Sequence, residues 1–390
     1  MYRLRISSIF FIAALSFSLS CTDKKSDNNA ALLPFLLASR SYYLGFTPFP
    51  YDISTLEAVE YVYDKIGTDA DLIAHHFDNG IPWDEALTDG TFPMKVTDDW
   101  SFRRSHIPAG HKLYVAVTPI NSMRNGLAPI WNSTGDNQPL TPPWSGYAFN
   151  HDDVKTAYLN YCRRAIDYFN PDYIAVGIEV NLLKHFTPSA WAAYLELHQG
   201  VYAALKTAYP SLPIFVTLTG IDLVDGLTNG VNHTDQMAAL ADIIDYTDYY
   251  AISFHPMLSN IPADEVIPAG VFQSIFSLSS KPACITETSY PAETLTMTAY
   301  EPDVVLTGSP EMQRDNFRQL LKNAQKYKLR FVVNFLVRDY DTLWSSAPPL
   351  GLGSPEDILK AWRDTGFYDQ DGNERPVLDV WRGKLRLPVR

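Results

Sequence analysis

Two glutamates stand at the ends of apolar runs, where a carboxyl group could do acid–base chemistry. Glu287 follows the run 283–286 and precedes a loop, and Glu179 follows the run 173–178. Runs rich in Ala, Ile and Val are typical of strands packed on both faces. Since the carboxyl ends of parallel strands carry the active sites of α/β proteins, we interpret both residues as candidate catalytic groups. Either glutamate alone could instead be a solvated or ion-paired residue at the rim of a sheet.

A pair of carboxyl groups that faces one cavity is suited to cleaving a glycosidic bond. One group must donate a proton to the leaving oxygen, while the other attacks or stabilises the oxocarbenium-like carbon. Burial and mutual repulsion separate the two pKa values, so that one group is protonated while the other is ionised. If the two side chains meet, the sequence predicts a hydrolase that acts on an oligo- or polysaccharide.

Eight apolar runs alternate with helical patterns and predict the elements that would hold such a pair. They are 42–46, 71–76, 113–118, 173–181, 213–218, 249–255, the run from 283 that carries Glu287, and 330–335. This alternation is typical of parallel βα units. Eight units within residues 41–390 predict a single α/β domain, a (β/α)8 TIM barrel. The alternative is a doubly wound open sheet, but no Gly-x-Gly-x-x-Gly follows the first run.

The alternation of side chains along a strand predicts which residues point into the barrel. In the fourth run Glu179 shares its face with Gly177 and Ala175, and in the sixth run His255 shares its face with Ser253. Small residues below a polar strand end favour the inward face. We therefore expect Glu179 and His255 to reach the mouth of the barrel by regular alternation.

Three short stretches of the chain resemble a known class of enzymes. They are 176–179, 286–291 and the C-terminal segment 365–376. With a Glu at the ends of strands four and seven, they resemble the retaining (β/α)8 glycoside hydrolases, and among these the arabinogalactan endo-β-1,4-galactanases most. The resemblance covers residues 42–381 as a pattern. It implies that Glu179 is the acid/base, that Glu287 is the nucleophile, and that no cofactor is needed.

One position departs from the pattern of these hydrolases. They usually carry Asn directly before the acid/base Glu, where it binds the sugar 2-hydroxyl, but this chain has Ile178 there and Asn181 two residues after Glu179. Ile cannot hydrogen-bond a hydroxyl, and such contacts strengthen in the transition state. We expect Asn181 to be a substitute contact. The alternative function is a non-catalytic glycan-binding or adhesive surface lipoprotein on a hydrolase-like barrel.

Further residues fall in segments that would border the mouth. His255, Tyr290 and His76 are candidate substrate contacts, although each could also be a packing or backbone-bound residue. Tryptophans in the loops can stack on sugar rings, or each can anchor its own loop. The candidates are Trp83, Trp131, Trp144 and Trp344, whereas Trp362 is interpreted as a packing residue.

A metal site is a weaker alternative at the second run. His75 and His76 precede Asp78, but neighbouring strand residues point to opposite faces, so only one imidazole can enter the barrel. No His-x-His or His-Glu-x-x-His pattern is present, and we predict no metal.

The N-terminus predicts export. Arg3 and Arg5 precede the apolar stretch 9–15, and small residues then lead to Cys21. This order resembles a bacterial lipoprotein signal, with residues 1–20 as signal peptide, Cys21 as the lipidated residue and 21–40 as a polar tether. The alternative is an ordinary cleaved signal. We expect an exported lipoprotein on a periplasm-facing membrane or the cell surface.

Composition limits the partners. The chain has 390 residues, a formal net charge of -13 and three cysteines. An acidic surface argues against nucleic acid and anionic lipid as partners. Apart from Cys21, the cysteines Cys162 and Cys284 are predicted to be buried thiols. We expect a monomer whose partners are a carbohydrate substrate and, through the lipid anchor, a membrane.

Overall fold

Eight parallel strands close into a barrel in the computed structural model, which describes residues 38–52, 55–261, 265–297, 304–346 and 358–390. The predicted signal peptide, Cys21 and most of the predicted tether lie outside the described residues. The barrel strands are β1 (Tyr43–Phe46), β2 (Leu72–Phe77), β3 (Lys112–Val117), β4 (Tyr173–Ala175), β5 in two pieces (Ile214–Phe215 and Thr217–Thr219), β6 (Tyr250–Phe254), β7 (Ala283–Thr288) and β8 (Phe331–Asn334).

Each strand pairs in parallel with the next, and the ring is closed. The first piece of β5 pairs with β4 and the second with β6, so the interruption at Val216 leaves one continuous strand of the barrel. Strand β8 pairs with β7 on one side and with β1 on the other, from Tyr43 opposite Phe331 to Phe46 opposite Asn334. The predicted (β/α)8 barrel is confirmed, and every barrel strand overlaps one of the predicted runs. A separate antiparallel pair, Leu295–Met297 with Val304–Leu306, lies outside these runs.

Helices connect the strands on the outside of the barrel. They are α1 (Leu56–Asp69), α2 (Trp83–Leu87), α3 (Met94–Ser105), α4 (Asp152–Phe169), α5 (Asn181–Phe186), α6 (Trp191–Ala208), α7 (His233–Ile243), α8 (Ala269–Phe276), α9 (Pro310–Lys326), α10 (Asp341–Ser346) and α11 (Val377–Leu385). As the sequence predicts, α9 begins at Ser309-Pro310, where the Ser309 hydroxyl accepts a hydrogen bond from the Met312 N–H. In the described parts of the chain no helix is long and apolar enough to cross a membrane.

Two apolar layers lie on the two faces of the sheet. Inside the barrel, small residues such as Ala74 and Ala175 leave room for large rings, among them Tyr114, which packs 5.3 Å from Phe331 between ring centroids. Outside, alternate strand residues such as Ile73 pack against the helices. Cys162 and Cys284 are both buried free thiols, as predicted. This alternation directs the residues at the strand ends either into the mouth or into the helix layer.

The barrel unit begins at Ser39. Arg40, which the sequence assigned to the end of the tether, is buried in this unit. Its guanidinium donates to the backbone oxygens of Tyr42 and Leu387 and pairs with Asp71. The arginine thereby joins the start of the barrel to the C-terminal segment.

Candidate active site

Glu179 reaches the barrel mouth by a break in the strand alternation. Strand β4 ends at Ala175, which lies inside the barrel, but a Cβ at Gly177 would come within 2.8 Å of Tyr194 on α6. Gly177 therefore faces the helix layer, and Ile178 returns to the interior. Glu179 has a left-handed backbone with φ 49°, which is uncommon for a residue with a side chain. The prediction that Glu179 and Gly177 share one face is wrong, although the glutamate still arrives at the mouth.

Glu287 also depends on a local irregularity, a β-bulge. Cys284 points into the barrel and Ile285 out of it, so regular alternation would direct Glu287 outward. The register changes at this point, because Ile252 pairs with Ile285 whereas Ser253 pairs with Glu287. Thr286 is the extra residue, and the bulge turns Glu287 back to the inward face beside Ser253.

The two glutamates lie near each other at the same end of the barrel and are linked through Ser253. The Ser253 hydroxyl donates to Glu179 Oε1 at 2.7 Å, and the same residue lies opposite Glu287 in the neighbouring strand. Residues opposite each other in adjacent strands lie about 5 Å apart on one face of the sheet. Side chains that are 108 positions apart in the sequence are thus brought together, as the sequence predicts.

A buried arginine supplies positive charge at this cavity. Arg124, in the loop after β3, binds both carboxylate oxygens of Asp78 at 2.9 and 2.8 Å. Its Nη2 also lies 3.4 Å from Glu179 Oε2. The Arg124 side chain is only 8% exposed, so these charges interact with little screening by water. Sequence reasoning missed this arginine because it lies in a long loop without a periodic pattern.

The environment separates the pKa values of the two glutamates. Burial alone would raise the pKa of Glu179, but the Arg124 charge and the Ser253 hydrogen bond outweigh it and hold the pKa below its usual value. Burial raises the pKa of Glu287 to about 8, and the negative charge of Glu179 adds to the effect. At neutral pH the pair therefore holds one proton, as acid-catalysed bond cleavage requires.

His255 lies at the end of β6 with its tautomer fixed. The indole N–H of Trp362 donates to His255 Nδ1 at 3.1 Å, and the Ser289 hydroxyl lies 2.7 Å from the same nitrogen. An indole N–H can only donate, so Nδ1 is unprotonated and the neutral ring carries its proton on Nε2. Burial lowers the pKa of His255 to about 4, which keeps the ring neutral at pH 7. Nε2–H has no partner among the described residues and can donate to a ligand.

Trp362 is a second residue that sequence reasoning misjudged. Its ring is partly exposed and meets His255 edge-on with centroids 5.2 Å apart, so it is more than a packing residue. Trp362 lies in the C-terminal segment after β8, and nothing in the sequence predicted that this segment contacts the end of β6. Ser253 could have been found, because its parity with His255 already pointed inward.

Asn181 does not fill the role predicted for it, and the role of Tyr290 stays a prediction. Asn181 is fully buried, and its side-chain amide donates to Gln236 at 2.7 Å while its carbonyl oxygen accepts from the Thr219 N–H at 2.8 Å. With these groups satisfied, Asn181 ties α5 to the end of β5 and cannot replace the sugar contact missing at Ile178. Tyr290 is also buried, and its backbone oxygen accepts a hydrogen bond from the Gln313 side-chain amide at 3.1 Å.

His76 points into the barrel and His75 points out of it, as alternation predicts. Leu72 and Ala74 lie on the same face as His76, while His75 packs in the helix layer. Burial lowers the pKa of His76 to about 4, and its Nε2 is buried without a hydrogen-bond partner among the described residues. His76 therefore borders the cavity as a neutral imidazole, close enough to Arg124 and Glu179 for their charges to influence it.

Three of the four predicted tryptophans are loop anchors. Trp83 and Trp144 are buried and stack on each other at 5.2 Å, with indole N–H groups bound to Ala128 O and Asp84 Oδ1. Trp131 is buried as well. None of these three can stack on a sugar without a rearrangement, so their assignment as substrate contacts is wrong. Trp344 keeps partial exposure and packs beside Phe335 at the end of β8.

One group of acidic side chains within the described segments has the spacing of metal ligands. It consists of Asp339, Asp341 and Asp364. Arg375 pairs with Asp339 at 2.6 Å, and Arg363 pairs with Asp364 at 2.7 Å and with Asp341 at 3.3 Å. Each of the three carboxylates is already paired with one of these two guanidinium groups, so the group is explained as an ion-pair network that fastens the C-terminal segment.

No family model and no curated protein matches the amino-acid sequence. Solved structures share the fold. The chain is similar to GH5_18 from Streptomyces cattleya in complex with Manβ1-4GlcNAc, with a TM-score of 0.60 and 14% identity, covering 89% of this chain and 82% of that one. It is also similar to the exo-β-1,4-mannosidase Op5Man5 from Opitutaceae bacterium strain TAV5, with a TM-score of 0.57 and 11% identity over 90% of this chain.

The chain spans 60% of the length of that mannosidase. The chain is also similar to a fungal β-1,4-galactanase, with a TM-score of 0.50 and 13% identity. The match covers 87% of this chain and 99% of the galactanase chain. These similarities establish the fold. They confirm, for the fold, the resemblance to barrel glycoside hydrolases that the sequence predicts, and this includes the resemblance to galactanases. The chain therefore has a glycoside hydrolase-like fold.

Proposed function

We propose that the protein is a glycoside hydrolase that cleaves O-glycosidic bonds of an oligo- or polysaccharide with retention of configuration. The observation that carries this proposal is the proximity of Glu179 and Glu287 at one end of the barrel, with opposite pKa shifts. A barrel of the glycoside hydrolase-like fold and a neutral His255 with a free Nε2–H support it. One carboxyl group can protonate the leaving oxygen while the other attacks the anomeric carbon.

The test is hydrolysis of a defined glycan panel. Because similar structures include a mannosidase, galactanases and a xylanase, the panel contains β-1,4-mannan, β-1,4-galactan and xylan. We expect release of reducing sugar from at least one glycan, and ¹H NMR of the first product should show the anomeric configuration of the substrate. Inversion would reject the retaining mechanism, and no hydrolysis of any glycan would reject the activity.

Two matched variants test whether the activity depends on the pair of glutamates. Glu287→Gln is expected to lower turnover about 10³-fold, since the loss of a positioned acid or base costs 10²–10⁴ in rate. Glu60→Gln changes an exposed glutamate on α1 and serves as the control, with turnover unchanged. Circular dichroism checks that both variants fold. Equal turnover in the two variants would reject Glu287 as a catalytic group.

The proposed location is a periplasm-facing membrane or the cell surface, where lipid on Cys21 would anchor the protein. This rests on the signal-like sequence alone. The full chain, expressed in a Gram-negative host, should partition with membranes, whereas a Cys21→Ser variant should be released to the soluble fraction. A Cys21→Ser variant that stays in the membrane fraction would reject lipid anchoring at this residue.

A further inference from the structure

Two large apolar side chains are exposed on segments that lie beside Glu179. Phe186, at the end of α5, is 55% exposed and is the most exposed of the phenylalanines, tyrosines and tryptophans whose side chains the structure describes. Met123, in the loop after β3, is 68% exposed and directly precedes Arg124. Single exposed apolar residues are common and need no explanation. These two, the rim pair, differ because the segments that carry them are tied to each other and to the same glutamate.

Two contacts fix where the rim pair lies. The Thr187 hydroxyl, next to one member of the pair, donates to the Asn125 carbonyl oxygen at 2.9 Å, two positions from the other member. On the same loop Arg124 reaches Glu179 Oε2 with its Nη2 at 3.4 Å. The end of α5 and the loop after β3 therefore adjoin, and both lie on the Glu179 side of the barrel mouth.

The short helix that carries Phe186 is held at both ends. At its start Asn181 is fully buried with its side-chain amide hydrogen-bonded, and near its end Lys184 donates to Asp242 at 3.1 Å. The Phe186 ring also contacts the His185 ring, with centroids 4.7 Å apart. A side chain that is already ordered loses little conformational entropy when a ligand covers it. Phe186 can therefore act as a preformed contact surface.

The chemistry of this surface fits the ring of a neutral sugar. The C–H groups on one face of a pyranose pack on an aromatic ring or a thioether, while its hydroxyls need hydrogen-bond partners. Asn125 is exposed beside the rim pair, and its Oδ1 accepts from Asn121 Nδ2 at 2.8 Å. The Asn125 Nδ2 has no partner among the described residues and can donate to a hydroxyl. Apolar contacts with a few oriented polar groups are typical of small-molecule sites.

The position of Phe186 along the chain indicates which part of a substrate reaches it. In the proposed reaction the proton donor lies next to the leaving oxygen, and the sequence resemblance gives this role to Glu179. Phe186 lies seven positions after Glu179, which is about 10 Å at the rise of an α-helix. The sugar that is attacked is held between the two carboxyl groups. A residue further along the leaving part of the glycan is therefore the one that can cover the ring.

We infer that the rim pair is a binding platform for sugar residues on the leaving-group side of the cleaved bond. The inference rests on the proposed glycosidase function and adds a site that the two glutamates do not form. The ligand is a stretch of neutral sugar residues in an oligo- or polysaccharide. It binds by its ring faces, so the platform favours a substrate with several sugars beyond the cleaved bond over a simple glycoside.

Binding is measured by isothermal titration calorimetry on the full chain with Glu287→Gln, so that bound glycan is not consumed. The probes are oligosaccharides of β-1,4-mannan, β-1,4-galactan and xylan. Phe186→Ala should raise Kd about ten-fold, because the apolar face of one sugar loses its cover. Phe186→Tyr keeps a ring and should leave Kd within about two-fold of the parent. Tyr246→Ala, at an exposed tyrosine before β6 and so at the other end of the barrel, is the control and should leave Kd unchanged.

Cleavage products show on which side of the bond the platform lies. With an oligosaccharide labelled at its reducing end, the labelled products come from the leaving part. Loss of the platform removes the advantage of a long leaving part, so Phe186→Ala in the otherwise unchanged chain should release shorter labelled products than wild type. Tyr246→Ala should give the wild-type distribution, as measured by chromatography. Unchanged or longer labelled products in Phe186→Ala would overturn the placement.

The outcomes separate this inference from the function on which it rests. Wild-type protein that cleaves a glycan, while Phe186→Ala binds as tightly as its parent, rejects the platform alone, and so does an equal loss of binding in Tyr246→Ala. Wild-type protein that binds glycans but cleaves none rejects the hydrolase and the placement beside a cleaved bond, whereas a loss of binding confined to Phe186→Ala keeps the platform as a glycan site. Wild-type protein that neither binds nor cleaves any glycan rejects both.

Discussion

The ends of β4 and β7 each deliver a glutamate to the same cavity, yet they do so under different constraints. Glu179 lies beyond the end of its strand, with a left-handed backbone and three donors around its carboxylate. Glu287 lies within its strand, beside a bulge, with no donor among the residues described. One carboxyl group is stabilised as an anion and the other is left uncompensated. The difference shows how one fold can hold an acid and a base side by side at one pH.

The largest expected effect concerns the dependence on leaving group. Glu179→Gln and Glu287→Gln should each lose about 10³-fold in turnover of a glycan. The variant that lacks the proton donor should still release a rapid burst of dinitrophenolate from 2,4-dinitrophenyl glycosides, since that group leaves without a proton, and the variant that lacks the nucleophile should show no burst. Stopped-flow absorbance measures the burst. A burst in both variants, or in neither, would break the contrast between the two strand ends.

The second effect concerns stability, because Glu287→Gln and Glu179→Gln should change the free energy of unfolding in opposite directions. The folded-state pKa of Glu287, about 8, lies above the ordinary value of 4.5 for a glutamate, so wild-type stability falls as pH rises between these values. Gln does not titrate, so Glu287→Gln should be more stable than wild type by roughly 3 kcal/mol at pH 7, and the gain should vanish below about pH 4. Urea unfolding at several pH values measures it.

Glu179→Gln should change stability in the opposite direction. The folded-state pKa of Glu179 is lowered, so its ionised form contributes stability above the unfolded-state pKa, and this contribution is lost as pH falls. The variant should be less stable at pH 7 by about 1–2 kcal/mol, because Arg124 and Ser253 lose an ionised partner. Equal shifts of one sign in the two variants would contradict the difference in their surroundings.

A smaller effect is expected at Ser253. Ser253→Ala removes the shortest hydrogen bond to Glu179, which should raise the pKa of Glu179 and lower kcat/KM about ten-fold near the acidic limb. At pH values well above the acidic limb, Glu179 is ionised both in wild type and in Ser253→Ala, so the decrease of kcat/KM should be smaller there. Ser277→Ala, at an exposed serine after α8, is the control. A loss that does not depend on pH would argue against an effect through Glu179.

The smallest effect compares two tryptophans. Trp362→Phe removes the N–H that fixes the tautomer of His255 and should raise KM roughly five-fold, equivalent to ~1 kcal/mol. Trp144→Phe removes a hydrogen bond to Asp84 in a loop anchor and should lower the melting temperature without changing KM. A change of KM in Trp144→Phe would restore the stacking role that its burial argues against.

Most of the fold could be predicted from the sequence because strand and helix patterns are local. The apolar runs lie where the strands are found, and Ser309-Pro310 begins a helix as expected. The tryptophans show where local reasoning ends. Trp83 and Trp344 are both large rings in segments near the mouth, but one is buried by Trp144 and the other keeps exposure. Only packing between distant segments decides this, and sequence spacing does not record it.

By itself, the sequence determined that two glutamates would stand at the carboxyl ends of parallel strands, because the length and composition of each run limit where a strand can end. The tertiary structure alone decided where those glutamates point and which of them is ionised. The bulge at Thr286 is a property of pairing with the neighbouring strand, and the left-handed turn at Glu179 breaks an alternation that the residues themselves would continue. The charge that separates the two pKa values comes from Arg124, which Asp78 holds in place across 46 positions of the chain.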